Sequence, residues 1–133
     1  MRLEVTRKSD LAVRSLGVLA QSDVRLKGPD LATRVGATPA YLAQVMAPLV
    51  RIGWVRSEPG PTGGYSLLKS IDEISVLNVI EVLEGPTERD RCVLQDRPCE
   101  ESGPCALHVP WRRALNQLLE ELEGTSVSVA LKP

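Results

Sequence analysis

Apolar residues recur at helical spacing through five stretches of the chain, separated by segments dense in turn formers. Between residues 9 and 20, Leu11, Ala12, Leu16, Val18, Leu19 and Ala20 form one stripe, the period of a helix with a single buried face. Ser9 or Asp10 is expected to cap its start, because a side-chain oxygen there satisfies an orphan backbone N–H. Residues 29–35 predict a short second helix with Leu31, Ala32 and Val35 facing in, stopped by Gly36. Thr38 and Pro39 then read as N-cap and first residue of a third helix. Its inward stripe is Leu42, Val45, Met46, Leu49 and Val50. Pro48 lies inside this helix and, by removing one i→i−4 bond, is expected to kink or loosen its last turn. Two short helices joined by a glycine-containing turn are the helix-turn-helix pattern.

The period then changes. Residues 53–57 predict a short strand, 58–64 a turn rich in Gly and Pro, and 65–68 a second strand, together a β-hairpin. A hairpin directly after a helix-turn-helix is the wing of a winged helix. Residues 71–84 hold another helix, with Ser75 as its cap, Val76, Val79, Ile80 and Leu83 as its stripe, and Gly85-Pro86 as its stop. Residues 87–104 have no periodicity and read as a long loop, a feature that is usually functional where it occurs in a compact domain. A last long helix is expected from Cys105 or Ala106 to Leu122. Its stripe is Leu107, Trp111, Leu115, Leu118, Leu119 and Leu122, and Pro110 lies in its first turns. Residues 125–131 read as a short apolar-alternating tail. The expected fold is mainly α with a small β-hairpin wing: a winged helix-turn-helix over 1–85, a cysteine-bearing loop over 86–104, and a dimerisation helix with tail over 105–133. The last helix adds an apolar face to a domain that already has a core, so a second copy of the chain is the expected partner.

Composition sharpens this picture. At 133 residues and 43% hydrophobic, with 3% aromatic and no Phe, the chain can build one core, from Leu, Val, Ile and Ala. No apolar run has membrane-spanning length, and the opening residues lack a signal-peptide pattern; a cytoplasmic protein is expected. The net charge of −1 hides an asymmetry. Residues 1–70 carry ten Lys and Arg against five acids, whereas 71–133 carry six against twelve. A basic first half suits a polyanion-binding module. No catalytic constellation and no phosphate-binding loop are present, so an enzyme is not expected.

The three cysteines, Cys92, Cys99 and Cys105, all fall within residues 92–105, in the loop and at its junction with the last helix. An odd, clustered set without an export signal points to metal rather than to a disulfide framework. Thiolates hold iron–sulfur clusters, and an irregular loop can wrap several sulfurs around one inorganic core. A zinc site is the alternative, although the spacing is not that of a zinc finger; direct thiol redox sensing is another. Three thiolates leave a fourth position open. His108, the only histidine, follows Cys105 by three residues. Asp10 is the other candidate and would reach across a dimer.

The chain resembles the IscR/NsrR/RirA-type winged-helix regulators over nearly its whole length. The resemblance rests on Met1-Arg2-Leu3, Asp10-Leu11-Ala12-Val13-Arg14, Tyr41-Leu42, Gly53-Trp54-Val55-Arg56-Ser57, the wing Gly60-Pro61-Thr62-Gly63-Gly64-Tyr65, Val79-Ile80-Glu81-Val82-Leu83-Glu84-Gly85, and the three cysteines. It implies a homodimeric regulator that binds double-stranded palindromic promoter DNA. Such a regulator senses iron–sulfur status, iron, nitric oxide or redox state through its cluster. Cys105-Ala106-Leu107-His108 is similar to the pattern in which that histidine ligates a [2Fe–2S] cluster. Ser9-Asp10-Leu11-Ala12-Val13-Arg14 is similar to the pattern in which the aspartate of the partner subunit ligates a [4Fe–4S] cluster that nitric oxide attacks. The gap between Cys92 and Cys99 is one residue longer than either pattern.

For DNA, the fold implies that Thr38, Pro39, Ala40, Tyr41 and Gln44 enter the major groove, with Gln44 suited to read adenine. Arg51 and Arg56, with Arg7 and Lys8, are expected at phosphates, and Gly63 and Gly64 at the wing. Ala43 stands where relatives often carry an acid, and Pro59 where they often carry arginine.

Overall fold

A computed structural model gives the fold and describes residues 1–95, 97–99, 103 and 105–133. The five remaining positions, 96, 100–102 and 104, belong to the expected loop and lie outside the described residues. The elements run α1 (Arg7–Ala20), α2 (Gly28–Val35), α3 (Pro39–Arg51), β1 (Val55–Glu58), β2 (Gly64–Leu67), α4 (Val76–Glu84), α5 (His108–Glu123) and α6 (Val127–Ala130).

Helix α1 begins earlier than the sequence pattern suggested, and neither Ser9 nor Asp10 is its cap. Thr6 is, with extended backbone and a side chain that accepts the Ser9 N–H at 3.3 Å. Ser9 is therefore inside the helix, fully buried, and its Oγ donates to Glu84 Oε2 at 2.8 Å. Asp10 sits in the exposed first turn, where an acid is favoured by the helix dipole. Its carboxylate accepts from Arg14 Nε and an Arg14 terminal nitrogen at 3.1 and 2.8 Å.

Helices α2 and α3 follow their sequence signals closely. Gly36 closes α2 in the left-handed conformation, with φ 72° and ψ 39°, and Thr38 Oγ1 accepts the Tyr41 N–H at 3.2 Å as the α3 cap. The helix continues through Pro48 to Arg51. Gly53, with φ 89°, lets the chain leave α3, and the Trp54 N–H still donates to the Leu49 carbonyl at 3.1 Å. Both residues thus belong to the helix exit, which is why β1 starts at Val55 rather than at residue 53.

Strands β1 and β2 pair antiparallel, from Val55 with Leu67 to Glu58 with Gly64. Leu26 adds an isolated bridge on the other edge of β2 by exchanging backbone hydrogen bonds with Tyr65, at 3.0 and 2.8 Å. This close approach explains the paired glycines. A Cβ on Gly63 would stand 2.0 Å from the Glu58 carbonyl oxygen. One on Gly64, whose φ is 140°, would stand 2.6 Å from that of Leu26.

Ser75 caps α4 in a capping box with Asn78. The terminal segment expected as a simple tail is part of the structure instead. The Val76 N–H donates to the Thr125 carbonyl and the Val127 N–H to that of Ile74. Ser126 caps the single turn of α6. Val127 is completely buried in the same core as Leu11, Leu16, Leu31, Leu42, Met46, Leu49, Ile74 and Val79. Helix α5 packs on α4. It starts at His108 because Pro110, which has no N–H to donate, fits the first turn, where no intrahelical acceptor exists. Of its predicted stripe only Leu119 is buried, while Leu107, Trp111 and Leu118 are exposed. Among the described residues no helix is long and apolar enough to cross a membrane.

Candidate metal centre and nucleic-acid interface

The cysteine loop leaves the end of α4 and returns at the start of α5, so two fixed helices set its span. Within it the Cys92 N–H donates to the Arg97 carbonyl at 3.0 Å, and Arg91 bridges to Pro98. These bonds set Arg91 and Cys92 alongside Arg97 and Pro98 and bring Cys92 beside Cys99. Gly103, at φ 79°, turns the chain again before Cys105. Sulfurs that are 6, 7 and 13 positions apart in sequence thereby converge. Cys105 Sγ lies 3.8 Å from Cys92 Sγ and 3.8 Å from Cys99 Sγ, and all three fall within 4.8 Å of one another. Cys92 and Cys99 are buried and Cys105 is half-buried.

The thiols are not equivalent. The backbone N–H of Leu94 aimed at Cys92 is the main cause holding its thiol below the ordinary value, against burial that pushes it up. The Cys105 backbone pulls Cys99 down, but burial and the two neighbouring thiols outweigh it and the net direction is up. A loop that donates N–H groups to sulfur suits thiolate, the form in which cysteine binds metal.

The three sulfurs fit a metal as a donor set, since they are soft, clustered and largely shielded from water. The two separations from Cys105 are those of thiolates on one tetrahedral ion, where metal–sulfur bonds of about 2.3 Å place the sulfurs about 3.8 Å apart. Neither fourth-ligand candidate joins this group of sulfurs. His108 is half-buried at the first position of α5, and its backbone N–H donates to the Cys105 carbonyl at 3.1 Å. Asp10 is on α1 and engaged by Arg14.

The expected DNA-reading residues lie on the N-terminal half of α3 and on the wing. Thr38, Pro39, Ala40 and Gln44 are exposed, and Tyr41 is half-buried. Arg7 stacks over the Tyr41 ring, 5.7 Å from its centroid. Sequence reasoning treated these two residues separately. Lys8 and Arg51 are exposed. Arg56 is exposed and 3.6 Å from Glu58, which also pairs with Arg25. Gly63 is buried and Gly64 half-buried, so the contacts of the wing turn are reason enough for glycine at both. The Ser9–Glu84 bond was also missed. The signal for it was a polar residue falling on the buried side of α1.

An exposed helix N-terminus after a tight turn, with a hairpin beside it, defines a winged-helix DNA-binding protein, and comparison with known proteins agrees. The family described as Rrf2, iron-dependent transcriptional regulator, matches residues 5–132. The regulator IscR of Pectobacterium carotovorum is 32% identical over 117 residues, 83% of this chain and 71% of that protein. Among solved structures, T. potens IscR has a TM-score of 0.71 at 27% identity, over 97% of this chain and 86% of that one. The oxidised form of Staphylococcus aureus CymR has a TM-score of 0.74 at 24% identity, over 98% of both chains, a likeness of fold. The chain belongs to the Rrf2 family of transcriptional regulators, and it is not an enzyme.

Proposed function

We propose that the protein is a homodimeric repressor that binds a palindromic operator and senses iron–sulfur status, nitric oxide or redox state through a cluster on Cys92, Cys99 and Cys105. The observation that carries this reading is the convergence of three sulfurs to within 4.8 Å in a loop anchored between the DNA-binding domain and the exposed helix α5. A bound cluster supplies a redox-active, acid-labile and nitric-oxide-reactive group. The chain's own residues hold it and transmit its state. The loop connects α4, which packs on α1, to α5, which carries the unpartnered apolar face. A change in the loop therefore acts on the spacing of two recognition helices, and a few kcal/mol of differential affinity between two spacings suffices for switching.

We assign His108 as the fourth ligand of the site. It shares a turn with Cys105, whereas Asp10 already has a cationic partner in Arg14. The 3.8 Å sulfur separations favour a second reading, one tetrahedral ion such as zinc on the same residues, because sulfurs on different irons of a cluster stand farther apart.

Anaerobic purification separates the two. Visible absorbance with iron and acid-labile sulfide at cluster stoichiometry is expected, lost in Cys92→Ala, Cys99→Ala and Cys105→Ala. A colourless protein with one equivalent of zinc establishes the second reading. His108→Ala is expected to alter the spectrum and Asp10→Ala to leave it unchanged; the reverse result transfers the ligand to Asp10.

A further inference from the structure

We infer that the metal-free protein closes a disulfide centred on Cys105, which pairs with either Cys92 or Cys99 and blocks reloading of the metal site until it is reduced. The inference rests on the proposed metal centre for its consequence, but on sulfur geometry alone for its chemistry.

Two observations single out Cys105. Its sulfur is the one in 3.8 Å contact with both others. It is also the exposed member of the trio, half-buried where Cys92 and Cys99 are 7% and 3% exposed. An oxidant in solvent therefore meets Cys105 first and finds two resolving thiols equally near. The backbone adds an asymmetry. Cys92 and Cys99 are held on facing arms by the Cys92–Arg97 hydrogen bond and the Arg91–Pro98 bridge, whereas Cys105 follows Gly103 on the way into α5. Closing the bond on either side takes the Cys105 sulfur from 3.8 Å to the bonding distance of about 2.05 Å.

The oxidant is a peroxide, and the step balances with it. The Cys105 thiolate attacks the peroxide O–O bond, takes one oxygen as sulfenic acid, and expels hydroxide, which leaves as water after taking a proton. The thiolate of Cys92 or Cys99 then attacks the sulfenic sulfur. The S–S bond forms, the S–O bond breaks, and the departing hydroxide takes the resolving thiol's proton and leaves as a second water. Two thiols lose two electrons and two protons in total, and one peroxide becomes two waters. The remaining thiol lies beside the new disulfide and can exchange into it, so both linkages are populated. Either linkage removes two of the three thiolates that a metal needs. It also ties the loop to the residue whose carbonyl starts the first turn of α5.

The test uses the full-length protein, stripped of metal by a chelator, reduced, and treated anaerobically with one equivalent of hydrogen peroxide. Peptide mapping without reductant is expected to show Cys105 linked to Cys92 in some molecules and to Cys99 in others. A sulfenic-acid trap added with the peroxide should label Cys105. Cys92→Ser and Cys99→Ser should each retain the other linkage, and Cys105→Ser should form disulfide at least tenfold more slowly. A predominant Cys92–Cys99 disulfide in the unaltered protein overturns the inference without any variant. So does trap label mainly on Cys92 or Cys99. The oxidised protein should take up no iron and sulfide until dithiothreitol is added. If the reduced protein also takes up none, the cluster reading fails while the disulfide result stands on its own.

Discussion

Ser9 and Glu84 are joined by a 2.8 Å hydrogen bond across 75 residues of sequence, and the two ends of that bond lie in different surroundings. Ser9 is completely buried in α1, while Glu84, the last residue of α4, is exposed to water. The bond closes the N-terminal turn of α1 onto the point where the cysteine loop departs. It thus ties the first helix of the DNA-binding domain to the end of α4, from which the cysteine loop continues.

The asymmetry of burial predicts an asymmetry of mutational cost. In Ser9→Ala the orphaned carboxylate is rehydrated, and the loss should be about 1 kcal/mol, a fall in Tm of about 3–5 °C for a domain of this size. In Glu84→Ala the Ser9 hydroxyl is left buried without its acceptor, which should cost about 1–3 kcal/mol. Thermal denaturation of the two single variants and the double variant measures this. A double variant whose loss equals or exceeds the sum of the singles, or a Ser9→Ala protein as stable as the parent, would show that the bond contributes nothing.

Gly36, which closes α2, and Gly64, in the wing, allow a graded test of backbone geometry. Gly36→Ala places a Cβ in open space at φ 72° and should cost about 1 kcal/mol for the left-handed conformation alone. Gly64→Ala adds a Cβ 2.6 Å from the Leu26 carbonyl oxygen in the bridge that fastens the wing to the chain before α2. It should be the more destabilising by about 2 kcal/mol, since backbone must move. Urea unfolding measures both costs, and in an operator-binding titration only the second variant should bind more weakly. Equal costs would mean that strain at φ, and not the Leu26 contact, dictates glycine in the wing.

How far these features were legible in the sequence follows from how local their causes are. Gly36, Thr38-Pro39 and Ser75 with Asn78 announce their helix boundaries because a cap is satisfied within four residues. Ser9 misled for the same reason. A hydroxyl near a helix start reads as a cap, and only the long-range partner Glu84 explains why it is inside the helix. The tail misled because the acceptor of the Val127 N–H, the Ile74 carbonyl, is more than fifty residues away. The cysteine triplet was visible as a set, but its convergence depends on backbone bonds such as that from Cys92 to Arg97, which involve no distinctive side chain. Asp10 and His108 stay apart from the sulfurs within one chain, so no spacing rule chooses between them.

At the DNA interface, reading and anchoring residues should separate by salt dependence. Gln44, exposed on α3, should contribute about 1–3 kcal/mol of discrimination at one base pair. Gln44→Ala should therefore relax sequence preference and leave the salt slope intact. Arg56→Ala should weaken binding to all sequences alike and reduce the slope of log K against log salt by about one. Arg7 is stacked on Tyr41, and Arg7→Lys should lose affinity for the operator beyond what a retained charge predicts, because lysine lacks the planar face. Binding titrations across salt concentrations check all three. A Gln44→Ala protein with unchanged base preference would remove this residue from the reading set.

The exposed side of α5 gives the last prediction. Trp111 is 39% exposed and Leu118 42% exposed on a helix that packs on α4, where Leu119 is buried and Leu115 and Leu122 are half-buried. Seven residues separate the two, about two helical turns, so they share a face and form a continuous apolar strip. In water such a strip is stabilised by burial at roughly 25 cal/mol per Å², and a second α5 offers a matching surface in a two-fold arrangement. Leu118→Glu inserts a charge at that interface and should shift the protein from dimer to monomer at micromolar concentration. The isolated domain should stay folded, because Leu118 takes no part in its core. Light scattering during gel filtration measures the mass directly. Because the operator is expected to hold two half-sites, the monomeric variant should bind the full operator at least tenfold more weakly while retaining the parent's affinity per half-site. A dimeric Leu118→Glu protein would place the interface elsewhere and leave α5 without an assigned partner.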